Sequence, residues 1–472
     1  MELSSAMRRR GAELFLDVLE SEGVEYIFGN PGTTELPLMD ALSDSKSIHY
    51  VLALQESSAV AMADGYAQAS GKPGVLNLHT AGGLGHGMGN LLNASVSQTP
   101  LIVTAGQQDA RHSLTDPLLY GDLISLARPA VKWAHEVVTP EQISVLVRRA
   151  FHDCNAAPRG PVFLSLPMNV MEQLTSALAG QRSQIEHHSI AGALDQLSAR
   201  LVSVPANKLA LIAGDEIHSS GAADAVVSIA EMLGIPVFGS SWPSRIPFPT
   251  AHPLWRGNLP TRATDIATKL GDFSAILALG GKSLITILYS EAEALPSSCQ
   301  LFQISADVRD LGRTYPTDLS TVGDIRQSLL ALLPLVQAEL ERRGEERSSR
   351  LAEAKVAREA DLAELHARAD QLASLPEISP MVAARECLRV IPSDVPIVDE
   401  AIATASHLRS LLYSTSATQY SFLRGGALGW GMPAQLAPRS ASGAGASCRS
   451  SVMVQRFTLR RLCGPPRMNA CR

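Results

Sequence analysis

Glu56-Ser-Ser-Ala-Val-Ala-Met-Ala-Asp-Gly-Tyr-Ala67 is a run of small residues opened by an acid, with Gly29-Asn-Pro-Gly32 before it and His79-Thr-Ala-Gly-Gly-Leu-Gly-His86 after it. Each glycine-bearing segment directly follows a short apolar run, at 26–29 and 74–78. Further runs at 49–54, 100–105 and 161–166 are separated by longer stretches of helical period. Short apolar runs bounded by Gly or Pro and alternating with helices specify βαβ units and a parallel sheet. Right-handed crossovers bring the strand ends to one edge, so 29–32 and 79–85 are expected as loops where open α/β sheets bind ligands.

Beyond Pro167 a polar connector runs to about Ser189, and a second set of apolar runs follows at 209–214, 235–239, 275–281 and 301–305. These predict a second α/β domain, and the absence of a GxGxxG there gives no support to a dinucleotide site. Residues 337–372 repeat Glu and Arg three or four apart, the pattern of an exposed helix held by local ion pairs. A strand at 395–398 and the glycine-rich turn 425–433 entering a helix mark the start of a third domain. The reading is α/β with three-layer parallel-sheet domains: 1–175, 190–335, a charged helical connector 336–375, and an incomplete third domain 376–434. A chain of 472 residues accommodates about three cores of ordinary size.

Composition narrows the class. With 46% hydrophobic and 18% charged residues the chain has ample core material, which excludes wholesale disorder. The basic start has no apolar stretch behind it and no later run is long enough to span a bilayer, so the expected location is cytoplasmic, with no membrane partner. Six cysteines, at 154, 299, 387, 448, 463 and 471, form no CxxC pair, which argues against a zinc site or a disulfide framework. Net charge is −6, but residues 435–472 carry seven arginines and no Asp, Glu or Lys, leaving the first 434 residues at −13. No specific nucleic-acid partner is expected from the mixed-sign helix 337–372.

In order and spacing, Gly29 to Gly32, Glu56 with its small-residue helix, and the His79 segment resemble the pyrimidine-binding domain of thiamine diphosphate enzymes, of the benzoylformate decarboxylase type. The resemblance covers residues 8 to about 434. It implies that Glu56 hydrogen-bonds the aminopyrimidine ring nitrogen of the cofactor, with burial raising its pKa and easing proton sharing. Taken alone, Glu56 reads first as an acid placed favourably in the first turn of a helix; its company of Gly29 to Gly32, the small-residue helix and the His79 segment in family order carries the other reading. The resemblance further implies cofactor contacts from Asn30, Pro31 and Gly32, and proton handling or substrate binding by His79. Thr33 stands where these decarboxylases favour serine and would offer its hydroxyl to substrate, while His86 lines the site. Gly426 and Leu428 match the turn that cups the aminopyrimidine, the leucine serving as apolar wedge.

Two departures stand out. Residues 282–289 hold no histidine where the family places a second catalytic one, so the substrate class is expected to be a 2-oxo acid, aryl or branched, rather than benzoylformate specifically. The Gly-Asp-Gly motif that carries the Mg²⁺ ligands is also missing, so no metal residues are assigned, although Mg²⁺ is the family's expectation. In its place stands the arginine-rich tail 435–472, whose composition predicts disorder. Back-translating that tail and shifting the frame from Ser451 onward permits GDGSAIYSPQALWTAAHERLP, a string resembling the absent motif and its helix. A single nucleotide lost near 434–435 accounts for the offset. The expected parent activity is thiamine diphosphate-dependent, non-oxidative decarboxylation to an aldehyde by a homodimer or homotetramer, with the truncated chain inactive. Carboligation of the acetolactate synthase kind, or a non-catalytic homologue, are the alternatives.

Overall fold

The computed structural model describes residues 8–347, 350–392, 395–417 and 420–436. The arginine-rich tail from 437 onward, and with it the expectation of disorder there, lies outside the described residues. By internal contacts the described residues form two units, one of 8–186 together with 423–436, the other of 187–422.

The first unit alternates α1 (Gly11–Ser21), β1 (Tyr26–Gly29), α2 (Leu36–Asp44), β2 (His49–Leu52), α3 (Glu56–Ser70), β3 (Gly74–His79), α4 (Thr80–Val96) and β4 (Leu101–Gln107). It continues with β5 (Ala134–Glu136), α5 (Ile143–Asn155) and β6 (Val162–Pro167). The six strands form one sheet in the order β2-β1-β3-β4-β6-β5, every pair parallel. Period-two alternation decides what each face buries. Ile27, Val75, Ile102 and Val162 pack with α1 and α5, whereas their neighbours Phe28, Leu76, Val103 and Phe163 pack with α3 and α4. Both faces are thus covered by helices, as an all-parallel sheet requires.

The second unit repeats the plan. Its elements are α6 (Leu194–Ser203), β7 (Leu209–Ala213), α7 (Ala223–Leu233), β8 (Val237–Gly239), β9 (Trp255–Asn258), α8 (Ala263–Leu270), β10 (Ala275–Leu279), β11 (Gln300–Ser305), β12 (Leu319–Val322) and α9 (Ile325–Arg343). The sheet runs β9-β8-β7-β10-β11-β12, again parallel throughout. Leu209, Leu211, Leu277 and Ile304 face α6, α7 and α9, and Ala210, Ile212 and Ile276 face α8. The charged segment forms α10 (Arg350–Ala373), in which only Arg358 and Ala369 are buried. After α11 (Pro380–Val390), a parallel pair β13 (Ile397–Asp399) and β14 (Tyr420–Phe422) flanks α12 (Ala405–Leu411). The chain then returns to the first unit as α13 (Gly431–Gln435).

One expectation is corrected. Residues 79–85 are not a loop: β3 runs through His79 and α4 begins at Thr80, so the glycine-rich run is helical. Glycine is a poor helix former, but here small residues permit close packing. A Cβ on Gly87 would lie 3.1 Å from Val60 and 3.3 Å from Leu78, and one on Gly83 would lie 3.2 Å from Cγ of Glu56.

Candidate functional site

In the first sheet β1 neighbours β2 on one side and β3 on the other, so the switch point lies between β1 and β3, at whose carboxyl ends ligands of open α/β sheets bind. Asn30 follows β1 and His79 ends β3, which brings two of the expected residues to that crevice from local structure alone. Asn30 donates its backbone N–H to Asn77 O, pinning the turn to β3. Gly29 and Gly32 are glycines for steric reasons. A Cβ on Gly29 would collide with the Tyr50 hydroxyl and the Asn77 carbonyl, and one on Gly32 would collide with the imidazole of His79.

Glu56 is the first residue of α3, whose N-cap, Gln55, accepts from the Ser58 N–H through its side chain. The Glu56 side chain is 12% exposed. Asn30 Nδ2 donates to Glu56 Oε1 at 3.1 Å, and His86 Nδ1 lies 3.2 Å from Oε2. Its acidity departs from the sequence expectation. Burial pushes the carboxyl up, but its own backbone N–H, His86 and Asn30 together outweigh that and hold it below the usual carboxylate range. The positive end of α3 adds to the same preference for the anion. Gly82 and Gly85, on the first turns of α4, would meet nothing within 4 Å if given a Cβ, so the helix there is bare.

A second cluster adjoins the first through the same turn. Glu35, in the 3-10 turn Thr33–Glu35, is buried and accepts from the Gly32 N–H and the Gly106 N–H, both at 2.8 Å. His79 Nδ1 lies 2.8 Å from Glu35 Oε2, and Thr34 Oγ1 donates to Glu35 Oε1 at 2.9 Å while lying 3.2 Å from His79 Nδ1. Paired with a carboxylate oxygen that accepts, His79 donates through Nδ1–H, which leaves Nε2 as the ring nitrogen outside this pair. Burial beside Glu35 also pushes the Tyr50 phenol well up.

The turn before α13 reaches this unit from more than 300 residues away. Asn93 of α4 makes a reciprocal pair with Ala427, donating to its carbonyl at 2.8 Å and accepting its N–H at 3.0 Å. Trp430 Nε1 donates to the buried Asp64 of α3 at 2.7 Å, and Gly65 leaves room for the backbone of Ala434. Gly426 sits at φ +84°, the left-handed region that favours glycine.

Of the expected residues, Asn30, Gly32, Glu56 and His79 gather at one sheet edge. Pro31 is half-buried on the same turn and Thr33 is exposed, the hydroxyl at His79 belonging to Thr34. Leu428 is 59% exposed beside the anchored Ala427. Sequence reasoning missed Glu35, Asn93 and Asp64. For Glu35 a signal existed, an acid three residues after Gly32 able to cap the turn; nothing local marks the other two.

The second sheet's switch point, between β7 and β10, is filled by the protein itself. Glu216 accepts from the N–H groups of Gly281 and Ala306 and from Ser305 Oγ, and its burial pushes its carboxyl up. Among the described residues no three or more His, Cys, Asp or Glu side chains gather to hold a metal. No helix among them is long and apolar enough to cross a membrane.

Comparison with known proteins places these features. Residues 9–124 match the N-terminal TPP binding domain of thiamine pyrophosphate enzymes, and residues 201–332 match their central domain. A benzoylformate decarboxylase of Pseudomonas aeruginosa is 35% identical over 332 residues, 68% of this chain and 61% of that one. Chloroplastic acetolactate synthase of Arabidopsis thaliana is 27% identical over 345 residues, 72% of this chain but 50% of that one. The crystal structure of benzoylformate decarboxylase from Polynucleobacter necessarius matches at a TM-score of 0.79 and 27% identity, covering 91% of this chain and 77% of that one. The chain thus spans less than two thirds of the length of these two curated relatives.

Proposed function

The chain belongs to the thiamine pyrophosphate enzyme family, and from that premise we propose that its first unit takes the aminopyrimidine of thiamine diphosphate at Glu56 and serves non-oxidative decarboxylation of a 2-oxo acid to an aldehyde. The observation that carries this reading is the pairing of a little-exposed Glu56 carboxylate, flanked by Asn30 and a bare glycine surface, with the Glu35–His79 pair at the same sheet edge.

The residues present fit one half of the cofactor. Glu56 offers an acceptor for the ring, with Asn30, Pro31 and Gly32 forming the adjoining wall and Gly426 and Leu428 proposed on the opposite side. For the diphosphate and Mg²⁺ the described residues gather no cluster of three or more His, Cys, Asp or Glu side chains, and Mg²⁺ sites are built on carboxylates. When bound, thiamine diphosphate supplies the electron sink that loss of CO₂ requires. The chain's own part is proton placement. Glu56, held ionised by its neighbours, is an acceptor only and would pair with the ring nitrogen in its protonated form; His79, with Nδ1 paired to Glu35, would exchange a proton at Nε2. Thr33 is proposed to offer its exposed hydroxyl to the 2-oxo acid, while the buried Thr34 holds Glu35 and His79.

Activity of the chain itself is proposed to be weak or absent, since the diphosphate contributes much of the cofactor's affinity and its ligands belong to the stretch replaced by residues 435–472. Assembly as a homodimer or homotetramer in the cytoplasm follows the family pattern. The test is a paired assay with thiamine diphosphate and magnesium on a panel of 2-oxo acids. It compares this chain with a version in which the reading frame is restored near 434–435. Aldehyde from the restored enzyme alone supports the proposal. A hydroxy-oxo acid from pyruvate would assign carboligation instead, and a restored enzyme indifferent to Glu56→Gln would overturn the role of Glu56.

A further inference from the structure

We propose that a cavity in the second unit, roofed by α10, binds a phosphate-bearing small molecule through Arg256, Lys269 and Arg358. The cavity measures about 740 Å³ and lies between α10 and the β8–β9 edge of the sheet, with Phe238 and Phe273 on its wall. That volume falls in the range of about 300 to 1,000 Å³ typical of small-molecule sites.

Five cations, Arg256, Lys269, Arg350, Arg358 and Arg368, line it against four carboxylates, and the imbalance is concentrated at the buried guanidinium atoms. Asp361 is the one carboxylate that acts on Arg256, Lys269 and Arg358 alike, and it is itself exposed, at 54%. It stands 3.5 Å from Arg256 Nη1, an atom that is buried without a hydrogen-bond partner. Arg358 is 6% exposed; its Nη2 donates to Thr250 O at 3.0 Å, while its Nε is likewise buried and unpaired. Lys269 opens onto the cavity, its ammonium donating to Asn258 O at 3.2 Å and lying 5.6 Å from the centre of the Phe238 ring. The other wall carboxylates, Asp272, Glu353 and Glu364, are exposed.

Burying cations without matching anions is costly, and removing the partner of a buried charge destabilises more than the pair stabilises. Arg358 is buried and Arg256 half-buried, while Lys269 stands exposed at the cavity wall; desolvation lowers the pKa of all three, and Arg256 adds to the lowering at Arg358. A phosphate dianion supplies what the site lacks: several acceptor oxygens with geometry suited to guanidinium donors, plus charge that offsets the excess. The aromatic pair, ring centres 5.9 Å apart, would take the apolar part of a phosphate ester.

Lys269 provides the readout, because a lysine with a lowered pKa is acylated readily and a bound anion shields it. The full chain is treated with an acylating reagent with and without inorganic pyrophosphate or phenyl phosphate, and modification of each lysine is followed by mass spectrometry. At saturating anion, acylation of Lys269 should slow about tenfold relative to the other lysines. Phenyl phosphate acting at lower concentration than pyrophosphate assigns the site to an ester; the reverse assigns it to the inorganic anion. Arg256→Gln should raise the concentration needed for protection about tenfold. The arginine-rich tail has no lysine, so anion binding there leaves this signal unchanged. Protection of Lys269 that sodium chloride of equal ionic strength reproduces, or no protection by either phosphate, overturns the proposal. Neither result bears on the role of Glu56.

Discussion

Glu35 Oε2 lies 2.8 Å from His79 Nδ1, so the donor nitrogen and orientation of His79, at the β1–β3 switch point, are set by an acid that is 3% exposed. Glu35 is in turn held by the N–H groups of Gly32 and Gly106. Substituting it should therefore change His79 without touching the crevice. Glu35→Gln keeps the shape but exchanges one acceptor oxygen for a donor, which must face an N–H already pointing at it. We expect a stability loss of about 1–3 kcal/mol in urea denaturation. In the restored enzyme turnover should fall with little change in KM, and ¹⁵N shifts of His79 should report a changed tautomer. An unchanged tautomer would remove Glu35 from the mechanism.

Gly32→Ala tests the same pair from its other side. The φ of Gly32 is −131°, open to any residue, so the backbone imposes no penalty. The whole cost comes from the new Cβ, which would overlap the His79 ring. Displacing that ring should cost about 1–3 kcal/mol, as other overpacking substitutions do, and should break the bond to Glu35. Retained His79–Glu35 coupling, read from the imidazole N–H proton resonance, would contradict the packing described.

What could be read from the sequence follows from where each signal resides. Interior strands such as 26–29, 74–78 and 209–213 announce themselves because both faces are buried and, Asn77 apart, the side chains are hydrophobic. Ala134–Glu136, Trp255–Asn258 and Leu319–Val322 went unread, and all three are sheet edges, where polar residues are tolerated. The Thr80–Val96 helix was misread as a loop at its start because glycine signals a turn locally, and only the packing of Gly83 on Glu56 and Gly87 on Val60 overrides that. Glu56 and His79 were legible from motif order. The acidity of Glu56 was not, since its sign depends on His86 and Asn30 arriving from two other elements.

That acidity has a consequence for pH. A folded-state pKa below the unfolded value means the ionised form is favoured by folding. The contribution is complete above the unfolded value of about 4.3 and is lost as pH falls through the lower folded value. Wild type and Glu56→Gln should differ by a constant amount at neutral pH. That difference should shrink only in acid, with a proton-uptake difference between the two proteins of less than one. A gap that widened as pH fell would indicate a raised Glu56 pKa and reverse the assignment.

Asn93 and Trp430 anchor one segment by different chemistry, and separating them tests whether 425–436 is held as a unit. Asn93→Ala removes the reciprocal bonds to Ala427, together with a donor to Oδ1 of Asn90, whose Nδ2 stays anchored on Ser57. Ala427 is half-buried, so water can replace them and the loss should lie at the low end of about 1–3 kcal/mol. Trp430→Phe deprives Asp64, which is 1% exposed, of the indole donor; Gln68 still donates to its other oxygen. A buried carboxylate that loses a donor costs more than a half-buried backbone group that water can reach, so Trp430→Phe should be the more damaging of the two. Both should speed hydrogen exchange at Ala427 far more than at strands β3 and β4, which marks local opening rather than global unfolding. Because the two anchors share a segment, the double variant should fall short of the sum of the single losses. Strictly additive losses, or exchange at Ala427 unchanged in either single variant, would show that the segment is held elsewhere.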